Sequence, residues 1–140
     1  IDDKAIRIRT QIYAPDHIIV LDQTLLTEGV EVTGGLKDGG WVVVNSRKDL
    51  QGFPGFDRYR VATVDANSIA VSHGVGTPTA PVVNTTILGA FARVTGLVTI
   101  DSVIRAIKEI VPAKRDENAL AAKEACEKVF LPKGSSPLPK

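Results

Sequence analysis

Three short polar side chains, each placed directly after an apolar run, have the types and the spacing best suited to chemistry. They are Asp22, Asn45 and Asp65. If the three runs form parallel strands, their carboxyl ends meet at one edge of a sheet, where α/β domains collect their ligands. We therefore expect these side chains to share a ligand-binding rim. The alternative is that each carboxylate caps the helix that follows it or closes a turn.

A second candidate position is the start of the apolar segment 86–95, which Asn84 and Thr85 precede. Amides and hydroxyls at a helix N-terminus suit an anionic ligand, because the helix dipole favours negative charge there. The alternative is a plain N-cap, in which a side-chain oxygen accepts a hydrogen bond from the first turn. Both interpretations stay open at this point.

The motifs of common nucleotide and metal sites are missing from the sequence. A dinucleotide site needs G-x-G-x-x-G between a strand and a helix, whereas residues 73–77 contain only G-x-G and follow a predicted helix. His17 and His73 are far apart, and neither belongs to a zinc-binding pair. The single cysteine, Cys126, cannot supply the four thiolates of an iron–sulfur cluster. We therefore predict no catalytic residue and no metal site on this chain.

The elements that must position the rim are three apolar runs. Residues 17–21 and 41–44 are almost continuously apolar, and 59–64 are mostly apolar apart from Arg60 and Thr63. Such runs are typical of strands buried on both faces of a parallel sheet. An alternating stretch at 6–9 predicts a further strand at an edge. Short strands alternating with helices predict βαβ units. The fold class is therefore α/β, a Rossmann-like three-layer domain with a mostly parallel sheet and helices on both faces.

The helices follow from apolar spacing and from capping residues. A short helix is expected within 24–36 and another at 67–72, whereas 50–57 and 73–81 are expected to be loops. The segment 86–95 predicts a buried helix that ends at Gly96. A further helix is expected to be capped by Thr99 or Asp101 and to stop at Pro112. The last predicted helix covers 115–130.

Composition narrows the class of partner and the compartment. The 140 residues carry a net charge of +1 without a long run of like charges, so neither nucleic acid nor membrane is expected as a partner. A single cysteine favours a reducing, cytoplasmic location. The chain starts at Ile1 and contains no methionine, which predicts processing from a longer polypeptide. The segment 131–140 has three prolines and is expected to be a linker or tail.

Several strings, in their order and spacing, together resemble one family. One of them is Gly35-Leu36-Lys37-Asp38-Gly39-Gly40. The others are 1–9, 12–16, 20–22, 42–45, 64–66, 84–90 and 95–98. They are similar to the gamma subunit, or gamma domain, of the 2-oxoacid:ferredoxin oxidoreductases, which include the pyruvate enzymes. The resemblance covers 1–130, taken here as one gamma-type domain.

This resemblance implies a function that needs other chains. Complexes of this family decarboxylate a 2-oxoacid on thiamine diphosphate with Mg²⁺, pass electrons through [4Fe–4S] clusters to ferredoxin, and usually give the acyl group to coenzyme A. The gamma domain is implied to pack against alpha, beta and delta-type subunits and to help enclose the approach of coenzyme A. It is implied to hold no cofactor of its own.

The chain also departs from the family pattern. Family members open with a strand and a turn of the type G-x-G-G-Q-G, which has no match here. A domain lacking this unit is expected to be incomplete at its N-terminus and to leave a sheet edge unpaired. The alternatives to a gamma subunit are a stand-alone α/β module that binds a small anion or nucleotide at the rim, and a structural partner with an inert rim. The sequence does not indicate which 2-oxoacid is used.

Overall fold

A three-stranded parallel sheet forms the centre of the computed structural model, which describes residues 4–7, 10–27, 31–50 and 53–131. Its strands are β1 (His17–Val20), β2 (Trp41–Asn45) and β3 (Arg60–Val64), in the order β1-β2-β3. The register pairs His17 with Trp41 and Trp41 with Arg60. All three strands therefore end at one edge. The α/β class and the parallel sheet are confirmed.

One face of the sheet is covered by helices. These are α1 (Ala66–Ser72), α2 (Thr86–Thr95) and α4 (Arg115–Lys128). Because alternate residues of a strand point to opposite faces, Trp41 and Val43 turn toward these helices and join a fully buried cluster with Ile87 and Val94 of α2. A further helix, α3 (Ile100–Ile110), packs outside this layer and buries Ile107 against α4. Its N-cap is Thr99, whose hydroxyl accepts from the Ser102 amide.

The opposite face of the sheet is covered by different elements from the helices that were expected. Val42, Val44 and Val61 pack there against Leu36 and Phe56, which lie in the connections between strands. Where a short helix was expected within 24–36, the described residues contain a single 3₁₀ turn, Gln23–Leu26, and turns at 32–35, while residues 28–30 lie outside the described part. In the described part of the chain, turns and loops therefore take the place of the helices predicted for this face.

The remaining predictions for elements have mixed outcomes. Gly96 has φ 64° and ends α2 as predicted. The segment 73–81 was expected to be a loop, but it contains a small hairpin of β4 (Gly76–Thr77) and β5 (Ala80–Pro81). Ile6 and Arg7 form no strand, and residues 8 and 9 lie outside the described part, so the predicted edge strand is not observed where it can be checked. The prediction for 132–140 also lies outside the described residues.

The last helix is shorter than predicted because a residue that follows it pairs with the sheet. It stops at Lys128, and Phe130 then forms an antiparallel bridge with Thr63 at the outer edge of β3. The Phe130 amide donates to the Thr63 carbonyl at 2.8 Å, and the Thr63 amide donates back at 3.2 Å. This exchange ties the C-terminal end of α4 to the sheet.

Candidate functional site

The carboxyl edge of the sheet forms a cleft of about 500 Å³. Asp22, Asn45 and Asp65 all line this cleft. The prediction that these three residues lie close together is therefore confirmed. Leu21, Arg47 and Asn67 also line the cleft. We call this the rim cleft. Binding of a ligand by these side chains stays a prediction.

Asn45 joins the three strand ends through its side chain. Its Nδ2 donates to the Leu21 carbonyl at 3.0 Å and to Asn67 Oδ1 at 2.9 Å, while its Oδ1 accepts from the Ala66 amide at 3.0 Å. The residue is buried, and all these partners lie within the protein. Asn45 is therefore primarily a connector between the segment after β1 and the start of α1.

Asp65 caps α1 and pairs with a cation. Its Oδ1 accepts from the Ser68 amide at 3.0 Å, and its Oδ2 lies 2.9 Å from Nε of Arg47. Partial burial raises the pKa of Asp65, but the hydrogen bonds from Ser68 and the Arg47 guanidinium outweigh it, so the net pKa lies below the ordinary value. The Asp65 carboxylate is therefore a weaker base than an ordinary aspartate, and both of its oxygens already accept hydrogen bonds, so it is poorly suited to act as a general base.

Asp22 has a similar capping role at the other side of the cleft. One carboxylate oxygen accepts from both the amide and the hydroxyl of Thr24, at 2.9 and 2.8 Å. These two hydrogen bonds lower the pKa of Asp22. Both aspartates therefore act as caps. Capping is the alternative to ligand binding that the sequence left open for them.

The other two predicted site residues do not reach the rim cleft. The Asn84 side chain accepts from the Thr85 amide at 3.0 Å and is exposed. Thr85 makes no side-chain cap for α2; its hydroxyl instead donates to Oδ1 of Asn118 on α4. Thr85 also lies on the wall of a different, apolar groove. The Thr85 hydroxyl thus contributes to the packing of α2 against α4, and ligand binding by Asn84 or Thr85 stays a prediction.

Arg47 is the rim residue that the sequence reasoning missed. It follows Asn45 by two positions, and its guanidinium reaches both Asp65 and the Ser68 hydroxyl, the latter at 2.7 Å. Its side chain is 75% exposed, so the charge remains available to an anion that enters the cleft. A basic residue two positions after a polar residue at a strand end is the sequence signal that could have identified it.

Removing the charge of Asp65 is expected to have a pH-dependent effect on stability. A carboxylate whose pKa is lowered by folding contributes fully above its unfolded pKa, near 3.8, and loses that contribution as the pH falls through the folded value. Asp65→Asn keeps an N-cap oxygen but loses the ion pair, so we expect a loss of about 0.5 to 1 kcal/mol at pH 7. Urea unfolding of both proteins should show this difference shrink below pH 3.8 and vanish only as the pH falls through the lower pKa of folded Asp65. A difference that grows toward acid would contradict the assignment.

Removing the Asn118 side chain is expected to destabilise the contact between α2 and α4. Asn118 is buried, accepts from Thr85 and donates to the Lys114 carbonyl at 2.8 Å. Asn118→Ala leaves the Thr85 hydroxyl without its acceptor, while the Lys114 carbonyl keeps only the Asn118 backbone amide, so the free energy of unfolding should fall by about 1 to 2 kcal/mol. Asn84→Ala is the matched control, because Asn84 is exposed and bonds only locally; it should change stability by less than about 0.5 kcal/mol. Equal losses in the two variants would contradict this role.

The chain's own residues do not fit an iron–sulfur cluster. A [4Fe–4S] cluster takes four cysteine ligands, and this sequence has Cys126 alone, whose pKa is raised by burial. Among the residues described, no three His, Cys, Asp or Glu side chains are grouped as metal ligands would be. The helices in the described part of the chain are also too short or too polar to span a membrane.

Comparison with known proteins places these features in a family. Residues 1–128 match the family described as pyruvate ferredoxin/flavodoxin oxidoreductase. The pyruvate synthase subunit PorC of Methanothermobacter thermautotrophicus is 48% identical over 130 residues, which cover 92% of this chain and 67% of that protein. The common gamma subunit of the pyruvate/ketoisovalerate oxidoreductases of Thermococcus kodakarensis is 48% identical over 94% of this chain and 70% of its own length.

Solved structures show the same fold. The pyruvate oxidoreductase subunit PORC of Thermotoga maritima matches with a TM-score of 0.68 and 28% identity, covering 85% of this chain and 66% of that one. The gamma subunit of a keto/oxoacid ferredoxin oxidoreductase from Geobacter sulfurreducens matches with a TM-score of 0.67 at 23% identity, covering 91% of this chain and 66% of its own. This chain thus spans about two thirds of the length of its relatives. It belongs to the pyruvate ferredoxin/flavodoxin oxidoreductase family.

Proposed function

We propose that this chain is the gamma-type subunit of a 2-oxoacid:ferredoxin oxidoreductase complex. The complex would carry out oxidative decarboxylation of pyruvate or a related 2-oxoacid, usually to an acyl-coenzyme A, with ferredoxin as electron acceptor. The observation that carries this proposal is the 48% identity, over 130 residues, to a pyruvate synthase subunit. The comparisons favour it over a stand-alone module for small anions or nucleotides.

The redox chemistry of such a complex would reside on other chains. The proposed partners are alpha, beta and delta-type subunits, which would hold thiamine diphosphate, Mg²⁺ and the [4Fe–4S] clusters. Two features support this division: the single cysteine of the chain, and the use of Asp22 and Asp65 as helix caps. A cytoplasmic location stays a prediction.

In this proposal, the rim cleft lies close to the path along which coenzyme A enters the complex. Coenzyme A carries phosphate groups, and the exposed guanidinium of Arg47 is a donor suited to phosphate. The neighbouring Asp65 holds this side chain at 2.9 Å, which limits its freedom before a ligand arrives. In this proposal the cleft positions a ligand and performs no bond-making step.

The partner subunits can be tested directly. The chain, carrying an affinity tag at its chromosomal locus, should be purified from its native host and the co-purifying proteins identified by mass spectrometry. We expect subunits of thiamine-dependent and iron–sulfur type in a fixed ratio to the tagged chain. An untagged strain processed in parallel gives the background. Recovery of the tagged chain alone, under conditions of low salt and without oxygen, would contradict the proposal.

A further inference from the structure

The first residues of the three strands meet at the amino edge of the sheet, opposite the rim cleft. The register places His17 beside Trp41 and Trp41 beside Arg60. Residues that are in register on parallel strands point to the same face, so these side chains form one row. The outer members of the row, His17 and Arg60, both line a cavity of about 650 Å³. We call it the amino-edge cavity.

The Arg60 guanidinium is held in place without an acidic partner. Its Nε donates to the Gly39 carbonyl at 2.8 Å, and its Cζ lies 4.6 Å from the centroid of the Trp41 ring. None of the ion pairs among the described residues includes Arg60. A planar guanidinium that is fixed through Nε keeps its two terminal nitrogens as a fork, and this geometry matches a carboxylate.

His17 supplies a second donor at this edge. Its Nδ1 accepts from the Trp41 amide at 3.1 Å, so the proton of the neutral ring lies on Nε2. Burial, followed by the charge of the nearby Arg60, lowers the pKa of His17, and the ring is therefore neutral at pH 7. The edge contact with Phe91, at 6.2 Å between ring centroids, fixes the plane of the ring. His17 can thus donate one hydrogen bond without adding a charge.

The other charged side chains of the lining already have partners. Lys37 lies 2.6 Å from Asp16, and Asp38 lies 2.6 Å from Arg58, which is outside the lining. Arg60 is therefore the surplus charge of this cavity in the described part of the chain. One surplus positive charge suits a monoanion. A dianion such as phosphate would carry a second charge toward the carboxylates of Asp16 and Asp38, which repel it.

The remaining walls of the amino-edge cavity are largely apolar. Ile12, Phe91 and Leu97 line it, and Ile12 and Leu97 are 75% and 52% exposed. Such side chains can cover a hydrocarbon body and gain from its removal from water. We propose that this cavity binds a small monocarboxylate with an apolar body, which places its carboxylate on Arg60 and its body against Phe91 and Leu97. The site is independent of the role proposed for the rim cleft.

The single tryptophan of the chain, Trp41, reports on this binding because the Arg60 guanidinium lies over its ring. Cyclohexanecarboxylate titrated into the full chain should change the Trp41 fluorescence and saturate, with a dissociation constant on the order of 1 mM for a ligand of this size. Cyclohexanecarboxamide has the same shape without the charge, and it should bind about tenfold more weakly or worse. No saturation by the carboxylate, or equal binding of the amide, overturns the inference. Tighter binding of phosphate than of the carboxylate also overturns it.

Two glutamine variants test the location by isothermal titration calorimetry. Arg60→Gln should weaken the binding of cyclohexanecarboxylate about tenfold or more. Arg47→Gln is the matched control, because it removes the same charge at the opposite edge of the sheet; its affinity should equal that of the unchanged chain. Weakening by Arg47→Gln in place of Arg60→Gln would overturn the inference.

Leu97→Glu tests the same location without removing Arg60. Leu97 is exposed, at 52%, so this variant is expected to fold, and it decides the matter if Arg60→Gln does not. A new carboxylate on this wall repels the carboxylate of the ligand and should weaken its binding about tenfold. Unchanged affinity in Leu97→Glu would place the ligand elsewhere and overturn the inference.

Discussion

Replacing Gly89 with alanine is expected to lower the free energy of unfolding by about 3 kcal/mol. A Cβ built on Gly89 would lie 1.7 Å from the carbonyl oxygen of Ala122, a contact that backbone atoms can relieve only if α2 and α4 move apart. Both helices contribute fully buried side chains to the main core, including Ile87 and Ala125. Separation of the two helices would therefore loosen the helical layer over the sheet.

The sign of this effect makes the test informative. Alanine in a helix interior normally stabilises by about 1 kcal/mol relative to glycine, so a loss of stability can arise only from the close approach of the two helices. Gly34→Ala is the matched control, since its nearest neighbouring atom would be 3.5 Å away and its φ is not positive. Urea unfolding followed by circular dichroism measures both variants. A stability of Gly89→Ala equal to or above that of the unchanged protein would show that α2 and α4 do not pack as described.

Truncation of Asn45 is expected to cost about 3 kcal/mol and to disorder the rim cleft. Asn45→Ala removes the donor to the Leu21 carbonyl and the acceptor for the Ala66 amide. The Ala66 amide is buried and would have no replacement partner, which is the costly case for a polar group. The segments that carry Asp22 and Asp65 would then lose their shared connection.

Asn67→Ala provides the control for Asn45. Asn67 accepts one of the bonds from Asn45, but its removal leaves the bonds to Leu21 and Ala66 in place. Asn67→Ala should therefore cost less than about 1 kcal/mol. Hydrogen exchange at the Ala66 amide gives an independent readout, with fast exchange expected in Asn45→Ala and slow exchange in Asn67→Ala. Equal stability and equal exchange in the two variants would remove Asn45 from its connecting role.

The meeting of the rim residues was predictable because it depends on local pattern. Each of the three residues follows an apolar run, and the parallel arrangement of such runs places their ends together. The capping roles of Asp22 and Asp65 were also within reach, since a short polar side chain before a helix accepts from its first turn. The sequence could not decide between capping and ligand binding, because the two uses need the same residue type.

Features that depend on distant partners were not predictable. Thr85 lies at the N-cap of α2 as expected, but its hydroxyl donates to Asn118, which lies 33 positions away in the sequence, and makes no capping bond. The end of α4 was placed too late because the pairing of Phe130 with Thr63 depends on the position of β3. No local pattern around Thr85 or Phe130 carries this information.

The elements that cover the second face of the sheet differed from the prediction for a related reason. A short helix was predicted within 24–36, yet Asp22 and Thr24 close a 3₁₀ turn and Gly35 takes a φ of 75°. Gly35 approaches the Tyr13 carbonyl so closely that a Cβ would lie 1.9 Å from it. The contact with Tyr13 therefore fixes the backbone here more strongly than helix propensity does.

The proposed role as a subunit without its own catalysis is tested most directly by an activity assay on two samples. One sample is the complex purified through a tag on this chain, and the other is this chain produced alone; both are assayed for 2-oxoacid-dependent reduction of ferredoxin with coenzyme A present. We predict turnover by the complex, with no turnover and no bound thiamine diphosphate in the isolated chain. Steady turnover by the isolated chain, or none by the complex with any 2-oxoacid tested, would contradict the proposal.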